Sequence, residues 1–181
     1  MDEIELKAYF FPWELDSLKN IETHISSITN SNWIEHNIRD TFYYPYPFHF
    51  PPSFDLRCRE INGTSTLTYK GVIDLSGGYK KREELNLNVD DFETLHRILE
   101  KIGFKKRKQI IKKRKLINFN NTSISIDYFT HIGAVIEIEG TPDLIESTIS
   151  LLCLPRPLFQ PITHKNVLER FRSARHKTYK L

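Results

Sequence analysis

The sequence predicts a mainly β protein with flanking helices (α+β), arranged as a closed, eight-stranded antiparallel β-barrel with a polar, charged interior. Three observations lead there. Polar and apolar residues alternate with period two through most of the chain, as strands with two unlike faces require. The strongest local signal is an antiparallel hairpin, residues 55–61 and 64–70 joined by Asn62-Gly63. With roughly eight strand candidates and few helices, closing the sheet on itself is a natural way to leave no exposed edge.

Taken in order, Glu3-Ile4-Glu5-Leu6-Lys7-Ala8 alternates from the start. From about Glu14 to Ile28, the residues Leu15, Leu18, Ile21, Ile25 and Ile28 recur at the helical spacing of three and four, and Asn30-Ser31-Asn32 ends the run. Phe42 to Phe54 (FYYPYPFHFPPSF) reads as an extended strand running into an ordered loop, because proline cannot donate to a ladder. After the hairpin and Gly77-Gly78, Lys80 to Val89 alternates again. Asp90-Asp91 caps an amphipathic helix through Leu95, Ile98 and Leu99 that stops at Gly103. Phe104 to Ile117, Thr122 to Tyr128 and Ala134 to Glu139 form a meander, with turns at Asn118 to Asn121 and near Gly133. Thr141-Pro142-Asp143 opens a short helix through Leu151, proline being tolerated in a first turn. Pro155, Pro157 and Pro161 then lead to a basic helix from about His164 to His176.

The 181 residues suit one domain with a real core, and 155–181 reads as its basic tail. No apolar run approaches the roughly 18 residues of a membrane helix. The start, MDEIELKAYFF, lacks the basic region of a secretory signal, so a cytoplasmic protein with no membrane partner is expected. Cys58 and Cys153 have no zinc-site spacing and read as reduced, small, buried apolar residues. No histidine pair or serine forms a recognisable metal or nucleophile motif, so covalent catalysis is not indicated. The net charge of +3 gives no ground for nucleic-acid binding. Residues 105–115 nevertheless hold eight cations, readable as a phosphate stripe, a nucleic-acid patch or a solvated surface.

The faces of the strands carry more. Ile4, Leu6 and Ala8 oppose Glu3, Glu5 and Lys7; Leu56 and Cys58 oppose Arg57 and Arg59; Leu67 and Tyr69 oppose Thr66, Thr68 and Lys70. Leu85, Leu87 and Val89 oppose Arg82, Glu84, Asn86 and Asn88. Ile124, Ile126 and Tyr128 oppose Ser123, Ser125 and Asp127, while Ala134, Ile136 and Ile138 oppose Val135, Glu137 and Glu139. A solvated sheet face is one reading of this pattern. The other is a barrel with its apolar face outward against helices, where paired carboxylates on the first and last strands converge with cations from the strands between. Buried charges are tolerable there only if wet, mutually paired or filled by ions. Clustered carboxylates are hard ligands suited to Mg²⁺ or Mn²⁺ that leave positions open for phosphate oxygens. Lysine and arginine supply donors to the remaining oxygens, and a linear triphosphate fits that mixture.

These residues resemble the CYTH, or triphosphate tunnel metalloenzyme, superfamily, which includes class IV adenylyl cyclases, thiamine triphosphatases and inorganic tripolyphosphatases. Glu3-Ile4-Glu5-Leu6-Lys7 matches its Glu-x-Glu-x-Lys signature. Asp55-Leu56-Arg57-Cys58-Arg59 resembles its LRxR strand and Thr68-Tyr69-Lys70-Gly71 its TxKG strand. Lys81-Arg82-Glu83-Glu84 resembles RxE, Lys112-Lys113-Arg114 resembles KxR, and Asp127 with Glu137-Ile138-Glu139 resembles the closing D and ExE pair. The resemblance spans about residues 3 to 140. It implies an eight-stranded tunnel in which Glu3, Glu5, Glu137 and Glu139 hold Mg²⁺ or Mn²⁺, with Glu84 and Asp127 as additional ligands. It also implies that Lys7, Arg57, Arg59, Lys70, Arg82, Lys112 and Arg114 bind phosphate, with Glu5, Lys7 and Glu137 carrying turnover. Lys113, Lys115 and most of Lys105 to Lys108 then face solvent. Asn86 stands where many members carry an acid, which bears on a second metal site. The aromatic, proline-rich segment before Phe54 is atypical; Tyr43, Tyr44 and Tyr46 are candidates to stack on a ring at the mouth, with packing as the other reading.

The expected function is metal-dependent hydrolysis of a small-molecule triphosphate, inorganic or organic, by a chain that can pair as a homodimer. The alternatives are a class IV adenylyl cyclase making cyclic AMP and pyrophosphate, and a noncatalytic module for RNA 5′-triphosphates or polyphosphate drawing on Arg170 to Lys180. The tail helix could be a lid supplying Arg170, Arg172 or Arg175, or a solvated helix docked by Leu168 and Phe171.

Overall fold

A computed structural model describes residues 2–47, 53–130 and 132–162. The expected basic helix over 164–176, lid or not, lies outside the described residues. Eight strands form the wall: β1 (Asp2–Phe10), β2 (Ile34–Pro45), β3 (Asp55–Ile61), β4 (Thr64–Lys70), β5 (Lys80–Val89), β6 (Phe104–Phe119), β7 (Thr122–Phe129) and β8 (Gly133–Glu139). They close in the order β1-β5-β4-β3-β2-β6-β7-β8, every neighbour antiparallel. Three helices flank them: α1 (Leu15–Thr29), α2 (Phe92–Lys101) and α3 (Pro142–Leu151). The expected fold is the observed one.

Local chemistry explains the corners. Asn62 and Gly63 both take positive φ, 49° and 85°, the tight hairpin geometry whose twist matches the strands it joins. Asn120 and Asn121 repeat it between β6 and β7. Asp91 caps α2 by accepting a hydrogen bond from the Thr94 amide at 2.9 Å.

The core lies outside the barrel. Leu6, Ala8, Ile124, Ile126, Ile136 and Ile138 turn outward and pack under Leu18 and Ile25 of α1 and Ile145 and Ile149 of α3. A second cluster, Tyr43, Cys58 and Leu99, sits beneath α2. The outward leucines of β5, Leu85 and Leu87, stay exposed.

Three expectations need correction. β2 begins at Ile34, eight residues before the expected Phe42, because its polar outer residues hide the alternation. Cys153 is exposed, not buried, since it follows α3 in a left-handed turn with φ 50°. Lys115, expected in solvent, is held by Glu22 of α1, which also accepts from the Tyr128 hydroxyl at 2.7 Å.

Candidate active site in the barrel lumen

Because strand side chains alternate, the residues opposite this outer core point into the barrel, where they line a cavity of about 710 Å³. Nine lysine and arginine side chains and seven carboxylates line it, so the lumen is close to self-neutral. Antiparallel register brings the first and last strands together: Glu5 pairs with Glu139 and Lys7 with Glu137 on β1 and β8. On the other side of β1, Glu3 pairs with Arg82 and Glu5 with Lys80 of β5.

The Lys7 ammonium, 2% exposed, donates to Glu5 at 2.7 Å and also to Glu137. Burial alone would lower its pKa, yet the carboxylates of Glu137 and Glu5 raise it, so Lys7 stays charged. Lys70 donates to Glu3 at 3.1 Å and contacts Glu84. Burial, reinforced by the Arg57 guanidinium, holds Lys70 down at about 7. Arg82 donates to Asp55 at 3.1 Å and to the Lys70 carbonyl at 2.9 Å. Arg57 donates to the Thr68 hydroxyl at 3.2 Å; burial and neighbouring Arg59 lower it to about 10.

On the opposite wall Asp127, fully buried, accepts from Lys112 at 2.5 Å and twice from Arg114 at 2.6 Å. Arg114 also reaches Glu137 at 2.9 Å. Burial would raise the Asp127 carboxyl, but Arg114 and Lys112 outweigh it and hold it at about 2. Burial lowers Lys112 to about 8 despite Asp127.

Of the thirteen residues that the resemblance marks, twelve line the cavity. Asp127 does not; it stands behind Lys112 and Arg114 as their counter-ion. Four charged lumen residues, Lys80, Asp40, Asp55 and Lys108, had no site role in the sequence reading. Lys80, buried, donates to Glu5 and lies one alternation before Arg82, so extending that strand's phase finds it. Asp40 binds Arg59 through two hydrogen bonds of 2.7 and 2.8 Å and sits in the unrecognised half of β2. Of the three tyrosines, Tyr44 lines the cavity, Tyr43 is buried under α2, and Tyr46 is exposed. Lys108 also lines the lumen.

Among the described residues no three acidic, histidine or cysteine side chains converge into a ready metal cage. Ammonium groups occupy Glu3, Glu5 and Glu137 instead. The donor set still fits a hard divalent cation. Glu139 makes no ion pair with any described side chain, and burial followed by the carboxylates of Glu3, Glu5 and Glu137 raises its pKa. That is a pocket of mutually repelling oxygens, which a cation relieves.

A closed barrel with its core outside and opposed charges inside defines a charged-tunnel fold. The chain belongs to the CYTH domain family, whose model matches residues 1–148. Over 85 residues it is 35% identical to a Methanocaldococcus jannaschii protein named as a candidate adenylate cyclase, a match covering 46% of this chain and 47% of that one. The match thus spans about half the length of that curated relative. A Pyrococcus horikoshii protein shares the fold with a TM-score of 0.73 at 22% identity, over 91% of this chain and 98% of that one. A candidate adenylyl cyclase from Hippeastrum, described as having a dominant triphosphatase activity, aligns with a TM-score of 0.62 at 18% identity over 95% and 96% of the two chains.

Proposed function

We propose that this chain is a metal-dependent hydrolase of triphosphate substrates bound inside the barrel. The observation that carries the reading is Glu5 opposite Glu139 on adjoining β1 and β8, with Glu3 and Glu137 lining the same lumen among its lysines and arginines. Glu3, Glu5, Glu137 and Glu139 are the residues that would hold Mg²⁺ or Mn²⁺. When bound, such an ion supplies Lewis acidity and neutralises charge on phosphate oxygens.

The chain's own residues do the rest. Lys7, Arg57, Arg59, Lys70, Arg82, Lys112 and Arg114 exchange their carboxylate partners for phosphate oxygens and orient the triphosphate. Their side chains are held in place before substrate arrives, so negative charge on the transferred group meets prearranged donors. Glu5 and Glu137, once Lys7 turns to phosphate, help position a water, while Asp127 keeps Lys112 and Arg114 in place.

The name of the Methanocaldococcus relative supports a second reading, cyclisation of ATP to cyclic AMP and pyrophosphate in the same lumen. One panel separates the two: tripolyphosphate, ATP and thiamine triphosphate with Mg²⁺ or Mn²⁺, scoring orthophosphate, pyrophosphate and cyclic nucleotide. Orthophosphate release that EDTA abolishes is expected. Cyclic AMP with pyrophosphate as the products, or tight binding without turnover, overturns hydrolysis. A small-molecule partner and a cytoplasmic location accompany this reading; no described helix is long and apolar enough to cross a membrane.

A further inference from the structure

Barrel closure does not use the whole of β5. Its first residues, Lys80 to Glu83, pair with β1, which begins at Asp2 opposite Glu83, while Glu84 to Val89 pair with β4 on the other side. Among the described residues no strand pairs with the far side of 85–89. The backbone phase of this stretch follows from its neighbours. Lys81 exchanges two hydrogen bonds of 2.8 Å with Asp74, and the Glu83 carbonyl accepts from the Gly71 amide at 2.9 Å, so the odd-numbered residues face β4 and the segment after it. By alternation the N–H and C=O groups of Asn86 and Asn88 point out of the sheet edge. On the outer surface of the barrel the same stretch carries Leu85 and Leu87, 54% and 63% exposed.

We propose that this edge is the interface of a homodimer, in which the β5 edges of two copies pair antiparallel about a two-fold axis at Leu87. An isologous contact needs a surface that complements itself. Centred on Leu87, the ladder sets Leu85 opposite Val89 of the second copy and Asn86 opposite its Asn88. Face is preserved, so Leu85, Leu87 and Val89 of both copies share one apolar outer surface. Asn86 and Asn88 form the hydrogen-bonded pairs, each exchanging both backbone bonds, and the two Leu87 side chains meet in the closer, non-hydrogen-bonded position on the axis. Moving the axis to Asn86 would bring Val89 of the second copy opposite Glu83, where Asp2 already pairs.

Nothing on the strand guards against such pairing. Edge strands that stay solitary carry lysine, proline or a bulge. Leu85 to Val89 holds no charged residue and no proline, in a chain that is 27% charged, and its register with β4 runs without a shift. Two copies therefore meet there without like-charge repulsion. The Asn86 side chain is already engaged, its carbonyl accepting from the Thr68 hydroxyl at 2.7 Å, so the polar contacts of this edge are backbone groups. The chain's own continuation starts elsewhere. Its last described residues lie at the other end of β1, where Gln160 pairs with Lys7 and Ile162 packs against Tyr9 and Val135, roughly 20 Å along the strand from Asp2. A ladder of this length buries less than the about 1,200 Å² at which stable interfaces begin, so the dimer is weak and forms at micromolar concentration.

Sedimentation equilibrium on the full chain, from about 1 µM to about 1 mM, spans the range in which weak interfaces assemble. The wild type is expected to pass from monomer to dimer within it. Asn88→Pro removes a donor that faces the second copy and spares the β4 ladder, proline being tolerated where an edge N–H points to solvent. Leu87→Lys sets two ammonium groups against each other on the axis. Each variant should weaken the dimer about tenfold or more. Amide hydrogen exchange at Asn86 and Asn88 should slow as the wild type dimerises, which keeps the test decisive if a variant fails to fold. A chain that stays monomeric throughout overturns the inference, as does a dimer that both folded variants keep. So does exchange at these two amides that ignores dimerisation. Exchange that is already slow in the monomer overturns it too, because another segment of the same chain, such as 163–181, would then cover the edge.

Discussion

At Glu5 two ammonium groups, those of Lys7 and Lys80, share one buried carboxylate, and Lys7 spans from there to Glu137. On the proposed mechanism Glu5→Gln or Glu137→Gln should lower metal-dependent turnover by about 100-fold or more while circular dichroism stays native. Full activity in both variants would remove these acids from the chemistry. Asp127 has a different task. Asp127→Ala leaves Lys112 and Arg114 without their buried counter-ion and should cost about 3–5 kcal/mol by urea denaturation; a loss under about 1 kcal/mol would contradict that role. Lys70 and Lys112, held near 7 and 8, give a pH signature. Both values lie below the ordinary 10.5 of lysine, so at about pH 8 the empty site has lost charge that a triphosphate restores. Binding should take up protons there, and affinity should fall as pH rises from about 7 to about 9. Calorimetric enthalpies that do not vary between buffers of different ionisation heat would contradict this. Sequence pattern reached most of these residues because each motif fixes both residue type and strand phase. It missed Asp40, whose strand carries no clean alternation, and nothing local in sequence distinguishes Asp127 as a counter-ion from Asp127 as a ligand.

Among the elements, the hairpin of β3 and β4 and the strand β5 were legible to the residue, because Asn62-Gly63 and Gly77-Gly78 punctuate clean period-two runs. β2 was half legible: its partner β6 lies some seventy residues away, and no short-range signal specifies that pairing. The turn before β8 makes a sharper prediction. Gly133 takes φ 125°, and a Cβ there would sit 2.2 Å from the Phe10 carbonyl oxygen. Gly133→Ala forces β8 away from β1 at the seam where Lys7 meets Glu137. It should cost about 1–3 kcal/mol, roughly 2–10 °C in Tm, and a variant melting with the wild type would show that this seam relaxes freely.

For the molecule as a whole, inverting the usual arrangement, apolar outside under helices and charge inside, couples stability to ligand. A lumen of opposed charges, most of them paired to one another, should be stiffened by an anion and a divalent ion together. At about 100 times Kd, tripolyphosphate or ATP with Mg²⁺ should add about 2.7 kcal/mol, roughly 5–10 °C, in a thermal shift assay. No shift with either ligand would mean that the lumen does not bind triphosphates. Closure itself was readable from strand number and polarity, whereas strand order and the ligand were not, since both depend on pairings between distant segments. β1 illustrates this. Its neighbours are Lys80 to Glu83, Ala134 to Glu139, and Gln160, which exchanges two backbone hydrogen bonds with Lys7 at 3.0 and 2.8 Å. The first strand of the barrel to be synthesised is therefore among the last to be enclosed: Glu3, Glu5 and Lys7 must wait, solvated, until β8 has followed. Such a chain cannot fold strand by strand as it emerges, and its slow step should be ring closure around its own charges.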